Sequence, residues 1–225
     1  MPIPAELEAE LALRQEICRV GQSLFSRGYV HATAGNISTR LPDGFLITPS
    51  DACLGFLGPD EIAKVGVDGT QLSGARASKA LILHRSIYAA DLSAACVVHT
   101  HSTSLVQLTL SGVWSDNDIV PPITPYYVMK VGHVPLIPYH RPGDPAVGTL
   151  VAESIARMRA RSTPIRAVML SRLGPTVWHE SPAAAMAVLE ELEDTARLWL
   201  NSTPKPEPLS ENQIDELRRH FGASW

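Results

Sequence analysis

The chain reads as an α/β protein in which helices flank a largely antiparallel sheet, and three observations carry that reading. Leu7, Leu11, Ile17, Val20, Leu24 and Phe25 recur among charges with a helical period over residues 5–27. Asp43-Gly44 and Asp68-Gly69 are hairpin signals between short apolar runs. Strict strand–helix alternation is missing, and the strands cluster mid-chain with helices before and after them, in layers.

In chain order, the first helix ends at Arg27-Gly28. A Gly-Asn turn in Ala34-Gly35-Asn36-Ile37-Ser38 leads into a strand, and Phe45-Leu46-Ile47-Thr48 is its hairpin partner, closed by Pro49-Ser50-Asp51. Gly58-Pro59-Asp60-Glu61 starts a short segment, and Val65-Gly66-Val67 precedes the second hairpin. Ala77-Ser78-Lys79-Ala80 opens a helix to about Ala90, with Ser78 as N-cap and Lys79 in the first turn, where an anion would meet the positive end of the helix. A strand from Val97 to Ser102 follows, then a helix from Thr103 to Leu110. Residues 113–145 are proline-rich and loop-like, with an edge strand at His133–Tyr139. A helix over 146–160, a buried strand Arg166–Leu170, a Gly174-Pro175 turn and a return strand at Thr176-Val177-Trp178 come next. Ser181 caps a long helix over roughly 183–200, with Pro182 in its first turn. The expected organisation is one domain, 1–202, then a Pro-rich linker and terminal helix, 203–225.

Composition excludes several classes. Apolar residues make up 45% of 225 positions, enough for a substantial core. The net charge is -4 and Lys and Arg are scattered, which argues against nucleic acid as a partner. No apolar run approaches the roughly 18–20 residues of a membrane span, and residues 1–10 lack a signal peptide's plan. Cys18, Cys53 and Cys96 form no Cys-x-x-Cys pair and read as buried thiols in a reducing compartment, so the expected location is cytoplasmic.

The chemistry centres on Val97-Val98-His99-Thr100-His101-Ser102. Alternate strand residues face the same side, so a strand through both histidines points the two imidazoles into one cleft. That is a natural start for a transition-metal site, zinc first and manganese second; the plain alternative is a polar strand end without metal. Gly35, Asn36, Thr48 and Ser50 at two adjacent turns offer N–H groups and hydroxyls to an anion, against the plain reading of ordinary hairpin chemistry. His84, beside Leu83 and Ile87, reads as a satisfied core histidine.

The order of Ala34-Gly35-Asn36-Ile37-Ser38, Ile47-Thr48-Pro49-Ser50, Ser78-Lys79 and Val98-His99-Thr100-His101-Ser102 resembles the class II aldolase/adducin family, nearly to the chain's end. Ser78-Lys79, Tyr126 to Met129 and Pro138-Tyr139-His140-Arg141-Pro142-Gly143-Asp144 resemble one branch especially, the 3-oxo-tetronate 4-phosphate decarboxylases. The resemblance implies a three-layer α/β/α domain around a mixed, mainly antiparallel sheet, and a homotetramer with active sites between subunits. It implies a divalent metal at His99 and His101, a phosphate or carboxylate pocket at Gly35, Asn36, Ser50, Ser78 and Lys79, and a catalytic tyrosine at Tyr126 or, by a one-residue slip, Tyr127.

The chain departs from that pattern twice. Where the branch has Ser-Lys-Glu, it has Ser78-Lys79-Ala80, without the acid/base carboxylate; where the family has Ala-Asn-His-Gly-Pro, it has Ser171-Arg172-Leu173-Gly174-Pro175, without the third metal histidine. His179 does not obviously replace it, and His31, His133 and His140 lack ligand spacing. Aldol cleavage needs a base to remove a hydroxyl proton, whereas decarboxylation needs only later protonation of an enolate. The expected function is therefore a metal-dependent carbon–carbon lyase, a decarboxylase of a small sugar-acid phosphate or related keto or hydroxy acid. The alternative is a retooled or inactive aldolase-fold protein that binds a ligand or partner, with Arg172 holding a substrate carboxylate.

Overall fold

The computed structural model describes residues 4–225. The chain gathers into two compact units, one of residues up to 100 with 178–186, the other of 101–177 with 187–225.

In the first unit, α1 (Ala5–Ser26) buries Arg14, Ile17, Val20, Gly21 and Leu24, the one-sided stripe expected of an amphipathic helix. A Cβ on Gly21 would lie 2.8 Å from the Leu54 carbonyl oxygen, so glycine is what lets the 54–56 turn lie against this helix. Strands β1 (Asn36–Leu41) and β2 (Gly44–Ile47) form the first hairpin, and β3 (Ala63–Gly66) and β4 (Gln71–Ser73) the second. Asp68 Oδ1 accepts the Thr70 N–H at 2.9 Å and closes that second turn. Helix α2 (Leu81–Ala90) leads to β5 (Cys96–His99), which pairs antiparallel with β1. Ile37, Leu46, Ile47, Val97 and Val98 form a solvent-free core.

The second unit carries α3 (Thr103–Ser111), a π-helical turn (Tyr127–Val131), β6 (Leu136–Ile137), α4 (Ala146–Ala160) and β7 (Ala167–Leu170). Strand β8 (Gly174–His179) returns antiparallel to β7, whereas β6 runs parallel to it. The turn between β7 and β8 is Ser171–Leu173, not the expected Gly174-Pro175. Leu170 pairs with Gly174, so the loop closes over three residues, with Arg172 in the left-handed region at φ 64. Helix α5 (Pro182–Asn201) starts at Ser181, whose Oγ accepts the Ala184 N–H at 3.2 Å. Helix α6 (Glu211–Phe221) starts at Ser210, which forms a capping box with Gln213, and ends at left-handed Gly222. Trp225 stacks on His133 with ring centroids 4.2 Å apart.

The hydrogen-bonded strand order is β4-β3-β2-β1-β5-β8-β7-β6, a mixed and mainly antiparallel sheet as expected. Of the cysteines, Cys96 is buried while Cys18 and Cys53 are partly accessible, which corrects the reading of three buried thiols.

Candidate functional site

The first unit brings Gly35 and Asn36 to the end of β5, where His99 stands. Gly35 has φ +88, and a Cβ there would lie 3.0 Å from the His99 carbonyl oxygen and 2.9 Å from Val30 Cγ1, so only glycine lets this turn approach the strand end. Asn36 pairs with His99 across the two strands, and Ser38 with Val97. Directly opposed residues share a sheet face, as do alternate residues on one strand, so Asn36, Ser38, Val97 and His99 look toward the same side. His99 is only 6% exposed there.

Helix α2 lies on that side. The Ser38 hydroxyl is 2.7 Å from His84 Nδ1 and 2.7 Å from the Tyr88 hydroxyl, and Tyr88 donates to the Ser38 carbonyl at 3.0 Å. His84 has no exposed surface, and burial, with a smaller contribution from His99, holds its pKa down to about 3. It is not the fully satisfied core histidine expected from the sequence: Nδ1 is bonded, but Nε2 has no partner, and neither has Asn36 Oδ1. The Ser38 and Tyr88 contributions escaped the sequence reading; the polar His84 and Tyr88 one turn apart on an apolar helix were the available signal.

Ser50 and Ser78 come together on two chain segments zipped antiparallel. Ser50 N–H donates to the Arg76 carbonyl at 2.8 Å and its Oγ to the Ala77 carbonyl at 3.0 Å, while Ser78 N–H donates to the Thr48 carbonyl at 3.3 Å. The expected helix start is corrected here. α2 begins at Leu81, with Ala80 as its N-cap residue and no side-chain cap. Ser78 Oγ instead accepts the Ala80 N–H at 3.3 Å in a local turn, because Ala80 is already helical and takes the cap position. Lys79 is thus exposed ahead of the helix rather than in its first turn.

In the second unit, His101 lies beyond the end of β5, which stops at His99, so strand alternation does not aim its side chain as the sequence suggested. It leads into α3, whose N-cap residue Ser102 makes no side-chain cap. Glu193 of α5 takes that role, accepting the Ser104 and Leu105 N–H groups at 2.8 and 3.0 Å. Tyr126 is 62% exposed and Tyr127 fully buried, so of the two tyrosines Tyr126 is the one a substrate can reach. Thr124 Oγ1 accepts the Tyr127 N–H at 3.1 Å and fixes the start of the π-helical turn, a local irregularity frequent at functional sites. Arg172 is exposed, and its N–H is held by Thr109 Oγ1 at 3.0 Å.

The donor set falls short of the implied metal. His133 Nδ1 is engaged with Asp118 at 2.7 Å and His140 Nδ1 with the Pro138 carbonyl at 2.8 Å, so each ring is fixed through one nitrogen. Among the described residues, no three histidine, cysteine or carboxylate side chains are grouped to hold a metal ion. The residues present do not complete a three-ligand metal centre.

A mixed, mainly antiparallel sheet whose inner strand β5 ends in a histidine is the frame of a protein of the class II aldolase type. The profile of the Class II Aldolase and Adducin N-terminal domain matches residues 15–200, and the chain belongs to that family. It is 54% identical over 224 residues to a Cupriavidus necator protein named 3-oxo-tetronate 4-phosphate decarboxylase, covering 97% of this chain and 100% of the relative. It is 41% identical over 214 residues to an Escherichia coli K12 protein of the same name, covering 94% and 97%. The crystal structure of YgbL from Escherichia coli superposes with a TM-score of 0.85 at 39% identity, covering 93% of this chain and 99% of that one.

Proposed function

We propose that the chain is a carbon–carbon lyase that decarboxylates a small phosphorylated sugar acid bearing a 3-oxo group. The observation that carries this is likeness along the whole chain, at 54% identity, to a protein named as such a decarboxylase. In this reaction the bond to the carboxylate carbon breaks, its electron pair moves onto the neighbouring carbonyl, and carbon dioxide leaves an enolate that later takes a proton.

The protein then has three tasks: hold the anionic ends, donate hydrogen bonds to the enolate oxygen, and deliver the proton. Gly35, Asn36, Ser50, Ser78 and Lys79 are assigned the phosphate or carboxylate, with Arg172 as a further anion contact. His99 and His101 are assigned the carbonyl side, and Tyr126, from a neighbouring subunit of a homotetramer, the proton. No hydroxyl proton has to be stripped, which is why the reaction tolerates Ala80 where the resemblance implies glutamate. No helix among the described residues is long and apolar enough to cross a membrane. The free thiols of Cys18, Cys53 and Cys96 suit a reducing compartment, and on that ground we place the protein in the cytoplasm.

A second reading, a retooled or catalytically silent ligand-binding protein, is favoured by Ala80 and Leu173 together. Carbon dioxide release from 3-oxo-tetronate 4-phosphate, measured beside elemental analysis of the same preparation, separates the readings. Release with about one zinc or manganese per chain means that a replacement ligand completes His99 and His101. Release without metal gives the reaction to the side chains alone. No release, with or without added zinc or manganese, leaves the second reading.

A further inference from the structure

We propose that His84 is a positioning residue for His99, working as a proton-free hydrogen-bond acceptor through Nε2. The inference rests on the reading of His99 as a residue of the site.

The protons can be followed one by one. Tyr88 spends its single hydroxyl proton on the Ser38 carbonyl at 3.0 Å. Toward the Ser38 hydroxyl, 2.7 Å away, Tyr88 is therefore the acceptor, and Ser38 spends its own proton there. In this assignment Ser38 Oγ accepts from His84, with the hydrogen on the Nδ1 atom 2.7 Å away. Out of water altogether and bonded only to a serine hydroxyl, the ring holds a single hydrogen, so a hydrogen on Nδ1 leaves Nε2 with a bare lone pair. Tyr88 and Ser38 thus lock the tautomer of His84 from one side and free its other nitrogen to act.

The fold decides where that nitrogen can act. Ser38 holds His84 on the sheet face that also bears Asn36 and His99. Asn36 Oδ1 is a second buried acceptor without a partner on that face. On α2, residues 80, 84 and 88 fall on one stripe, and helical side chains lean toward the helix N-terminus, so His84 leans over the turn of Ala80. With only a methyl at Ala80, His84 is the polar group this stripe turns toward the end of β5. Two bare acceptors on the sheet face that bears His99 call for a donor there: an N–H, a hydroxyl or a water. That donor fixes the orientation of His99, and with it the nitrogen that His99 shows to the substrate.

The test uses the full chain, labelled with 15N in its imidazoles, at neutral pH. Wild type is expected to show His84 protonated on Nδ1 alone, and His84→Leu to move the His99 signals. Ser38→Ala removes the acceptor of the Nδ1 hydrogen and is expected to shift the His84 proton toward Nε2 and displace the same His99 signals, which keeps the test alive should His84→Leu fail to fold. With 3-oxo-tetronate 4-phosphate, His84→Leu is expected to lower kcat about tenfold with KM nearly unchanged, and His84→Gln, which keeps an acceptor, to recover most of it. A wild-type proton on Nε2, or His99 signals indifferent to the folded variants, overturns the proposal. A wild type that releases no carbon dioxide sinks the proposed activity alone, because the spectra still decide the role of His84.

Discussion

Glu193 on α5 stands where the N-terminus of α3 would otherwise cap itself: its two carboxylate oxygens accept the Ser104 and Leu105 N–H groups at 2.8 and 3.0 Å. A carboxylate at this end of a helix satisfies two orphan donors and complements the helix dipole. Glu193→Ala should therefore lower stability by about 1–3 kcal/mol in urea unfolding and speed hydrogen exchange at the Ser104 and Leu105 amides. Glu193→Gln keeps one acceptor and should fall between the two.

Buried His84 makes the acid side of the stability curve steep. Its pKa in the fold is about 3 against an ordinary 6.5, so above 6.5 both folded and unfolded chains are neutral and the group costs nothing. As pH falls below 6.5, the unfolded chain takes a proton that the fold refuses, and stability drops by up to about 1.4 kcal/mol per unit from this residue until pH nears 3. Unfolding curves across that window should be flatter in folded His84→Gln than in wild type.

Arg14 ties α1 to the 59–62 segment of the first unit. It donates to the Pro59 and Ile62 carbonyls at 3.1 and 2.5 Å and pairs with Glu10 at 2.8 Å, largely out of water. Arg14→Met keeps the bulk but strands both carbonyls and the carboxylate, and should cost about 2–4 kcal/mol by chemical denaturation. Burial alone would raise the Glu10 carboxyl, but Lys64 and Arg14 outweigh it and hold the pKa below the ordinary value. The stabilisation from Glu10 is therefore present above the unfolded carboxylate range and lost as pH falls through the folded value. Arg14→Met should reduce this loss.

Gly35→Ala probes the approach of the β1 entry turn to His99. The left-handed φ and the contacts at 2.9 and 3.0 Å leave no room for a methyl, so a loss of about 1–3 kcal/mol is expected by thermal or urea unfolding. Gly28→Ala has the same sign of φ but nothing within 4 Å, and should cost less.

Much of this architecture was legible because local signals agreed with one another. Apolar periodicity marked α1, Asp-Gly turns placed both hairpins, and Ser181 announced the start of α5. The errors fell where tertiary contacts override local preference. Ser78 has every property of an N-cap, but Ala80 takes that place and Ser78 closes a local turn ahead of the helix. His101 carries strand alternation on paper, yet β5 ends before it and α3 begins just after it. His84 looked like core because its neighbours are apolar; that one of its nitrogens lacks a partner is a fact of three-dimensional packing to which no periodicity refers.

The outer strands of the sheet have a consequence for crowding. In β4, the Gln71 side-chain amide turns back to donate to the carbonyls of Ser73, Gly74 and Ala75 at 3.4, 3.1 and 2.8 Å, occupying acceptors that an incoming strand would seek. At the other margin, β6 is two residues long and sits between Pro135 and Pro138, which have no N–H to offer. Both margins are poor templates for another chain, so the molecule resists edge-to-edge polymerisation at high concentration.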